Sequence, residues 1–134
     1  MTMKKAWLII GIVLLAHAVG LFFGLYDLIS WYDIPMHVGG GFAMGALALA
    51  IWHEGIEDVT FKGALERHLK WWLVPAMVLG FVSLIGIVWE LHEWLLDLVL
   101  PSDALRQPDL PDTMMDFVND LVGAAAAIFI WRKK

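Results

Sequence analysis

The segment IVWELHEWLLD, residues 87–97, carries three carboxylates and a histidine at one end of the longest apolar run in the chain. At about 100° per residue, Glu90, Glu93 and Asp97 fall within a stripe roughly 60° wide on one helix face. Each charged side chain at the centre of a bilayer costs about 3 kcal/mol or more, so a membrane helix keeps such a row only if it is compensated. We therefore looked in the rest of the sequence for groups that could compensate the negative charge of this row.

The composition indicates a membrane protein. Of 134 residues, 60% are hydrophobic and only 17% are charged, and the mean hydropathy is +0.73. Such a chain is far too apolar for a soluble domain of this size. The formal charge is −5, but most acids lie beside or inside apolar runs, and no nucleic-acid partner is expected. The absence of cysteine excludes disulfides, thiolate metal sites and a cysteine nucleophile.

Four segments are long enough to cross about 30 Å of hydrocarbon as helices. They lie at about 6–25, 34–52, 71–100 and 113–131. The connections are too short for another domain, so the sequence predicts an all-α fold, a single transmembrane domain over residues 1–134 built as a polytopic four-helix bundle. An amphipathic inner loop is predicted over 53–70, and the first segment is predicted to be a retained span and not a cleaved signal peptide.

Basic residues set the predicted orientation. If both termini are cytoplasmic, eight of the nine lysines and arginines lie inside and only Arg106 lies outside. The sequence therefore predicts an N-in/C-in topology, with the 87–97 segment in the outer half of the membrane.

The first two predicted helices also carry polar residues near their outer ends. His17 is either a neutral histidine bonded to a neighbouring helix or part of a polar site. Asp33 and His37 lie one turn apart at the start of the second helix. A helix cap would explain Asp33 but not His37.

The fourth predicted helix presents polar residues and a glycine within an arc of about 100°. They are Asp112, Asp116, Asn119, Asp120 and Gly123. Asp112 at the helix start favours the helix dipole and is either only a cap or a further member of the polar site, whereas Asp116 and Asp120 lie deeper and are not explained by a cap.

Counting inward at about 1.5 Å per residue brings polar groups of all four helices to one level. Because a small bundle has one interior, these groups are expected to meet there. The positive charge of one or two imidazoles cannot balance the negative charge of six carboxylates. The compensating cation is then a set of protons or a divalent metal. A third alternative is that the acids serve only to join helices. The candidate metal ligands are His37, Glu90, Glu93, Asp116 and Asp120. Zinc, magnesium, manganese, iron or calcium would suit such ligands.

Three motifs resemble the VanZ-like membrane proteins, and most closely the YjdF-like inner-membrane proteins. They are Asp33-x-x-x-His37 followed by glycines, Trp89-Glu90-x-x-Glu93-Trp94, and Asp112-Thr113-x-x-Asp116-x-x-x-Asp120-x-x-Gly123-Ala124. The VanZ-like pattern usually has a lysine after the first aspartate, where this chain has Ile34. The resemblance implies a bacterial cytoplasmic membrane protein with no settled activity, and the basic residues place its predicted site on the extracytoplasmic side.

Three functions fit these features. The first is a membrane-embedded metal enzyme acting on a lipid or lipid-linked substrate, with Asp33 or Asp97 as general base. The second is a proton- or cation-coupled transporter. The inner halves of the helices carry no polar path, so a conduit would require a homo-oligomer. The third is an assembly or scaffold protein whose acids bind partner helices in the lipid bilayer.

Overall fold

The computed structural model describes residues 1–56, 64–100 and 109–131, without the side chains of residues 64–70. The helices are α1 (Met3–Phe22), α2 (Leu25–Leu28), α3 (Asp33–Ile51), a π-helical turn (Trp52–Ile56), α4 (Ala64–Val99) and α5 (Leu110–Trp131). Helices α1, α3, α4 and α5 are long and apolar enough to span a membrane. This confirms the predicted all-α fold with four transmembrane helices. Residues 57–63 of the predicted inner loop, together with Arg106 and the C-terminal basic residues, lie outside the described residues, and the loop's two ends form the π-helical turn and the start of α4.

Several helix ends differ from the predicted bounds, each for a local reason. Helix α1 ends early because Gly24 adopts a left-handed conformation, with φ of 63°, before the short helix α2. Helix α4 already begins at Ala64 and not near residue 71, so Pro75 lies in its interior. Helix α5 is capped by Asp109, whose carboxylate accepts the backbone N–H of Asp112 at 3.0 Å. Asp112 itself lies in the first turn.

Helix α3 lies at the centre of the bundle and packs against α1, α4 and α5. Its contact with α5 is so close that a Cβ atom on Gly41 would collide with the backbone carbonyl of Asp120. A Cβ atom on Gly123 would likewise collide with the carbonyl of Val38. Small residues allow this approach, which is typical of membrane helices. The two helices run parallel, so the polar start of α3 lies beside the polar start of α5.

The apolar core occupies the other end of the bundle. It is centred on Leu49 of α3 with Val78 and Val82 of α4, all fully buried. Along the rest of the helices many large apolar side chains are exposed, among them Leu15, Phe22 and Phe129. A lipid environment would cover such an exterior without cost.

Candidate functional site

His37 is the centre of the polar site. It lies one turn into α3 and is only 6% exposed. Its Nε2 atom is 3.6 Å from Oδ2 of Asp33 and 3.7 Å from Oδ1 of Asp116. These separations are too long for good hydrogen bonds. Two carboxylates, one from α3 and one from α5, therefore flank the same nitrogen without bonding to it directly.

The other imidazole nitrogen of His37 faces a third carboxylate. Its Nδ1 donates to Oδ1 of buried Asp120 at 3.3 Å. Helix α4 passes this carboxylate at Gly86, where a Cβ atom would lie 2.6 Å from Oδ2 of Asp120. Because glycine has no Cβ atom, α4 can approach closely enough to bring its own acids to His37.

Helix α4 contributes Glu90 and Glu93. Glu90 is buried, and the half-buried Glu93 accepts a hydrogen bond from Nε1 of Trp89 at 3.0 Å. Ligand atoms of His37, Glu90 and Glu93 lie within 4.8 Å of one another. The same is true of Asp33, His37 and Asp116. The structure thus brings together residues of three helices that the sequence predicts to meet.

The spacing around Nε2 of His37 suits a shared cation. With metal–ligand distances of about 2.1 Å, two ligands of a tetrahedral ion lie about 3.4 Å apart. The distances of 3.6 and 3.7 Å to the two aspartates are close to that value. Charge points the same way, because one imidazole faces several carboxylates. They are Asp33, Glu90, Glu93, Asp116 and Asp120, and together with His37 they form the His37 cluster.

Other predicted polar residues lie outside these two groups. Asp97 is one turn beyond Glu93 and partly exposed, and Asp112 is partly exposed in the first turn of α5. Asn119 is buried next to Asp120, and its Nδ2 atom has no hydrogen-bond partner among the residues that the structure describes. His92, on the exposed side of α4, packs against Trp89 with ring centroids 5.5 Å apart.

A cavity of about 250 Å³ lies beside the cluster, between α1, α3 and α4. Its polar lining comes from side chains at one end of the bundle. They are His17, Tyr26, Asp33, His37, Glu93 and Asp120. The remainder of the lining is apolar and extends towards the core, for example at Ile10 and Val82. The site is therefore a pocket with a polar end and an apolar end.

The family of the chain follows from a family model described as predicted membrane protein (DUF2238), which matches residues 2–134. The chain belongs to this family. No curated protein and no solved structure matches the chain. Membership of DUF2238 agrees with the four spans, whereas the VanZ-like and YjdF-like resemblance remains a prediction. The site itself must supply the argument for function.

The sequence did not point to Tyr26, which lines the polar end of the cavity together with His37. Its hydroxyl lies 2.6 Å from Nδ1 of His17. Burial raises the pKa of Tyr26 well above its usual range, so the phenol stays neutral, and the tautomer of His17 decides which of the two groups donates the hydrogen bond. The ring of Trp89 packs edge-on against His17, with centroids 5.2 Å apart. His17 is thus a bonded histidine that also lines the polar end of the cavity.

Tyr26→Phe is expected to cost about 1 kcal/mol of stability, the value of one hydrogen bond, and to change the tautomer of His17. Chemical denaturation in detergent and ¹⁵N NMR of the imidazole measure the two effects. Tyr32→Phe is the comparison, because it removes a bond to the Ala16 carbonyl at 3.0 Å and leaves His17 untouched. Identical His17 spectra in wild type and Tyr26→Phe would contradict the assignment.

Proposed function

We propose that this protein binds a divalent metal at the His37 cluster and acts there on a lipid or lipid-linked substrate. The observation that carries the proposal is the position of Nε2 of His37 between Asp33 and Asp116, at the spacing of ligands around one ion. Compensation by metal explains why buried acids from three helices are held together inside a membrane protein.

Each residue of the cluster has a role in this proposal. Asp33, His37 and Asp116 hold one cation, and Glu90 and Glu93 hold the same ion or a second one beside it. Asp120, a predicted ligand, is better suited to orienting His37, because metal-bound histidines usually donate their other N–H to a carboxylate. Trp89 orients Glu93 in a comparable way.

The bound metal would polarise a phosphoryl or acyl oxygen, or supply an activated water. Asp33 lines the cavity and its side chain is 36% exposed, so one oxygen of its carboxylate would hold the metal while the other accepts a proton from a water molecule in the pocket. Asp97 lies farther along α4 and outside both groups of ligand atoms, so the role of base goes to Asp33.

Location and kinship complete the proposal. The distribution of basic residues favours an orientation with the site on the extracytoplasmic side. The resemblance to VanZ-like and YjdF-like proteins favours the bacterial cytoplasmic membrane as the location. Transport is the weaker candidate, because the cavity is polar at one end and apolar at Ile10, Ala43 and Val82. A pocket of this kind supports binding and chemistry better than passage of an ion.

Purified wild-type protein, kept free of chelators, is expected to retain a stoichiometric divalent metal in elemental analysis. Asp116→Asn is expected to weaken Mn²⁺ binding about tenfold or more, since it removes one anionic ligand. Asp27→Asn is the matched control, because Asp27 is exposed in α2 and lies outside the ligand groups. Absence of stoichiometric metal, together with unchanged thermal stability in Glu93→Gln, would rule out the metal site.

A further inference from the structure

The apolar end of the cavity is longer than a metal site needs. Along α1, the lining runs from His17 to Ile10, seven residues or about 10 Å. On α3 it runs in the opposite sense from His37 to Met44. The cavity therefore extends parallel to the helix axes, with titratable side chains at one end and branched apolar side chains at the other.

The cavity also has a side that faces the membrane. Helices α1 and α4 both line it, and within the described part of the chain their side chains meet where His17 packs against Trp89 at the polar end, while their backbones do not pack closely. Leu14 of α1 both lines the cavity and is 55% exposed on the outer surface. An apolar chain in the bilayer could thus enter sideways between α1 and α4 without crossing a polar surface.

We propose that the part of one acyl chain nearest the headgroup of an anionic membrane phospholipid occupies this cavity, with the phosphate of that lipid at the His37 cluster. The inference rests on the proposed function, because without a metal the carboxylates around His37 would repel the phosphate. A free phosphate would leave the apolar end empty, whereas an amphiphile matches both ends. The substrate class is then a membrane phospholipid.

Gly40 offers a direct test, because it lines the cavity and a Cβ atom there would meet nothing within 4 Å. Gly40→Leu therefore places a side chain in the cavity from a position where its Cβ atom is not obstructed. Gly80→Leu is the matched control. A Cβ atom on Gly80 would also meet nothing within 4 Å, but Gly80 is exposed and lies outside the cavity. Both variants replace glycine by leucine within a helix, so their effects on helix propensity are alike.

The experiment uses nanodiscs of phosphatidylglycerol and phosphatidylethanolamine that contain Mn²⁺ and a trace of phosphatidic acid with a diazirine halfway along one acyl chain. After illumination, mass spectrometry locates the label. We expect it at Val13 and Met44, inside the cavity, in preference to lipid-facing Leu8 and Leu15. Gly40→Leu should reduce cavity labelling about tenfold or more, as several buried methylene contacts are lost, and Gly80→Leu should not change it.

The outcomes separate the two proposals. If wild type binds Mn²⁺ but the label is spread evenly over the outer surface, or survives Gly40→Leu, the phospholipid inference is wrong and the metal site stands. Cavity labelling that is unchanged after Mn²⁺ is removed would overturn the placement of the phosphate. Crosslinks between two copies through the cavity would identify a second chain as the occupant and overturn the inference. Wild type without metal binding would overturn the proposed function itself.

Discussion

His37→Ala is expected to weaken divalent metal binding by at least about 100-fold, more than loss of an orienting residue usually does. Among the described residues, His37 is the one imidazole in both groups of ligand atoms. Its removal takes away the Nε2 atom that lies beside both Asp33 and Asp116, and Asp120 loses its hydrogen bond to Nδ1. Titration calorimetry with Mn²⁺ in detergent, checked by elemental analysis, measures the loss.

Metal removal gives the same prediction a second readout. A metal at 100 times its dissociation constant stabilises the folded state by about 2.7 kcal/mol, so EDTA should lower the melting temperature of wild type. It should not lower that of His37→Ala. The control is His53→Ala, which removes an imidazole of the π-helical turn, outside the ligand groups, and should respond to EDTA as wild type does. If EDTA changes the melting temperature of neither wild type nor the two variants, the acids are compensated by protons and not by a metal.

Much of the fold could be predicted because a bilayer restricts the choices. Each span needs about 20 apolar residues, and each backbone polar group must be satisfied within the span. The acids on α4 and α5 could be assigned to single helix faces from the helical period alone. Counting from the helix ends then placed His37, Glu90, Glu93 and Asp116 at one depth, and the structure does bring their ligand atoms together.

The lateral arrangement of the helices could not be predicted, because the helical period fixes an angle on each helix but not which helix it faces. The central position of α3 depends on backbone contact between its glycines and α5. Both helices contain several small residues at which their backbones could approach equally closely. The register that the structure adopts is the one that places Asp120 beside Nδ1 of His37. The sequence treated Asp120 as equivalent to Asp116, whereas they face different imidazole nitrogens.

The contribution of Tyr26 was hidden for a similar reason. It lies after α1, in a connection that reverses direction at Gly24, and no periodicity applies to such a segment. The helix ends were also set by local details, such as the Asp109 cap that precedes Asp112. Polarity and period thus predict which side chains avoid lipid, while turns and close contacts decide which of them touch.

The close contact of α3 with α5 leads to the second large prediction. Gly123→Val is expected to destabilise the protein by about 3 kcal/mol, because any side chain there must push the helices apart. A Cβ atom on Gly123 would lie 2.6 Å from the backbone nitrogen of Phe42 and nearer still to the carbonyl of Val38. Neither is a flexible side chain that can move aside. Thermal unfolding in detergent, followed by circular dichroism, measures the loss.

Gly80→Val separates this packing effect from the intrinsic cost of valine in a helix. Gly80 is exposed, and a Cβ atom there would meet nothing within 4 Å, so we expect less than about 1 kcal/mol of change. Gly123→Val should also weaken metal binding, because moving α5 outward takes Asp116 and Asp120 away from His37. Equal stability in the two variants would mean that α3 and α5 do not touch through their backbones. If Gly123→Val were as stable as wild type but no longer bound metal, the substitution would distort the metal site without separating the helices.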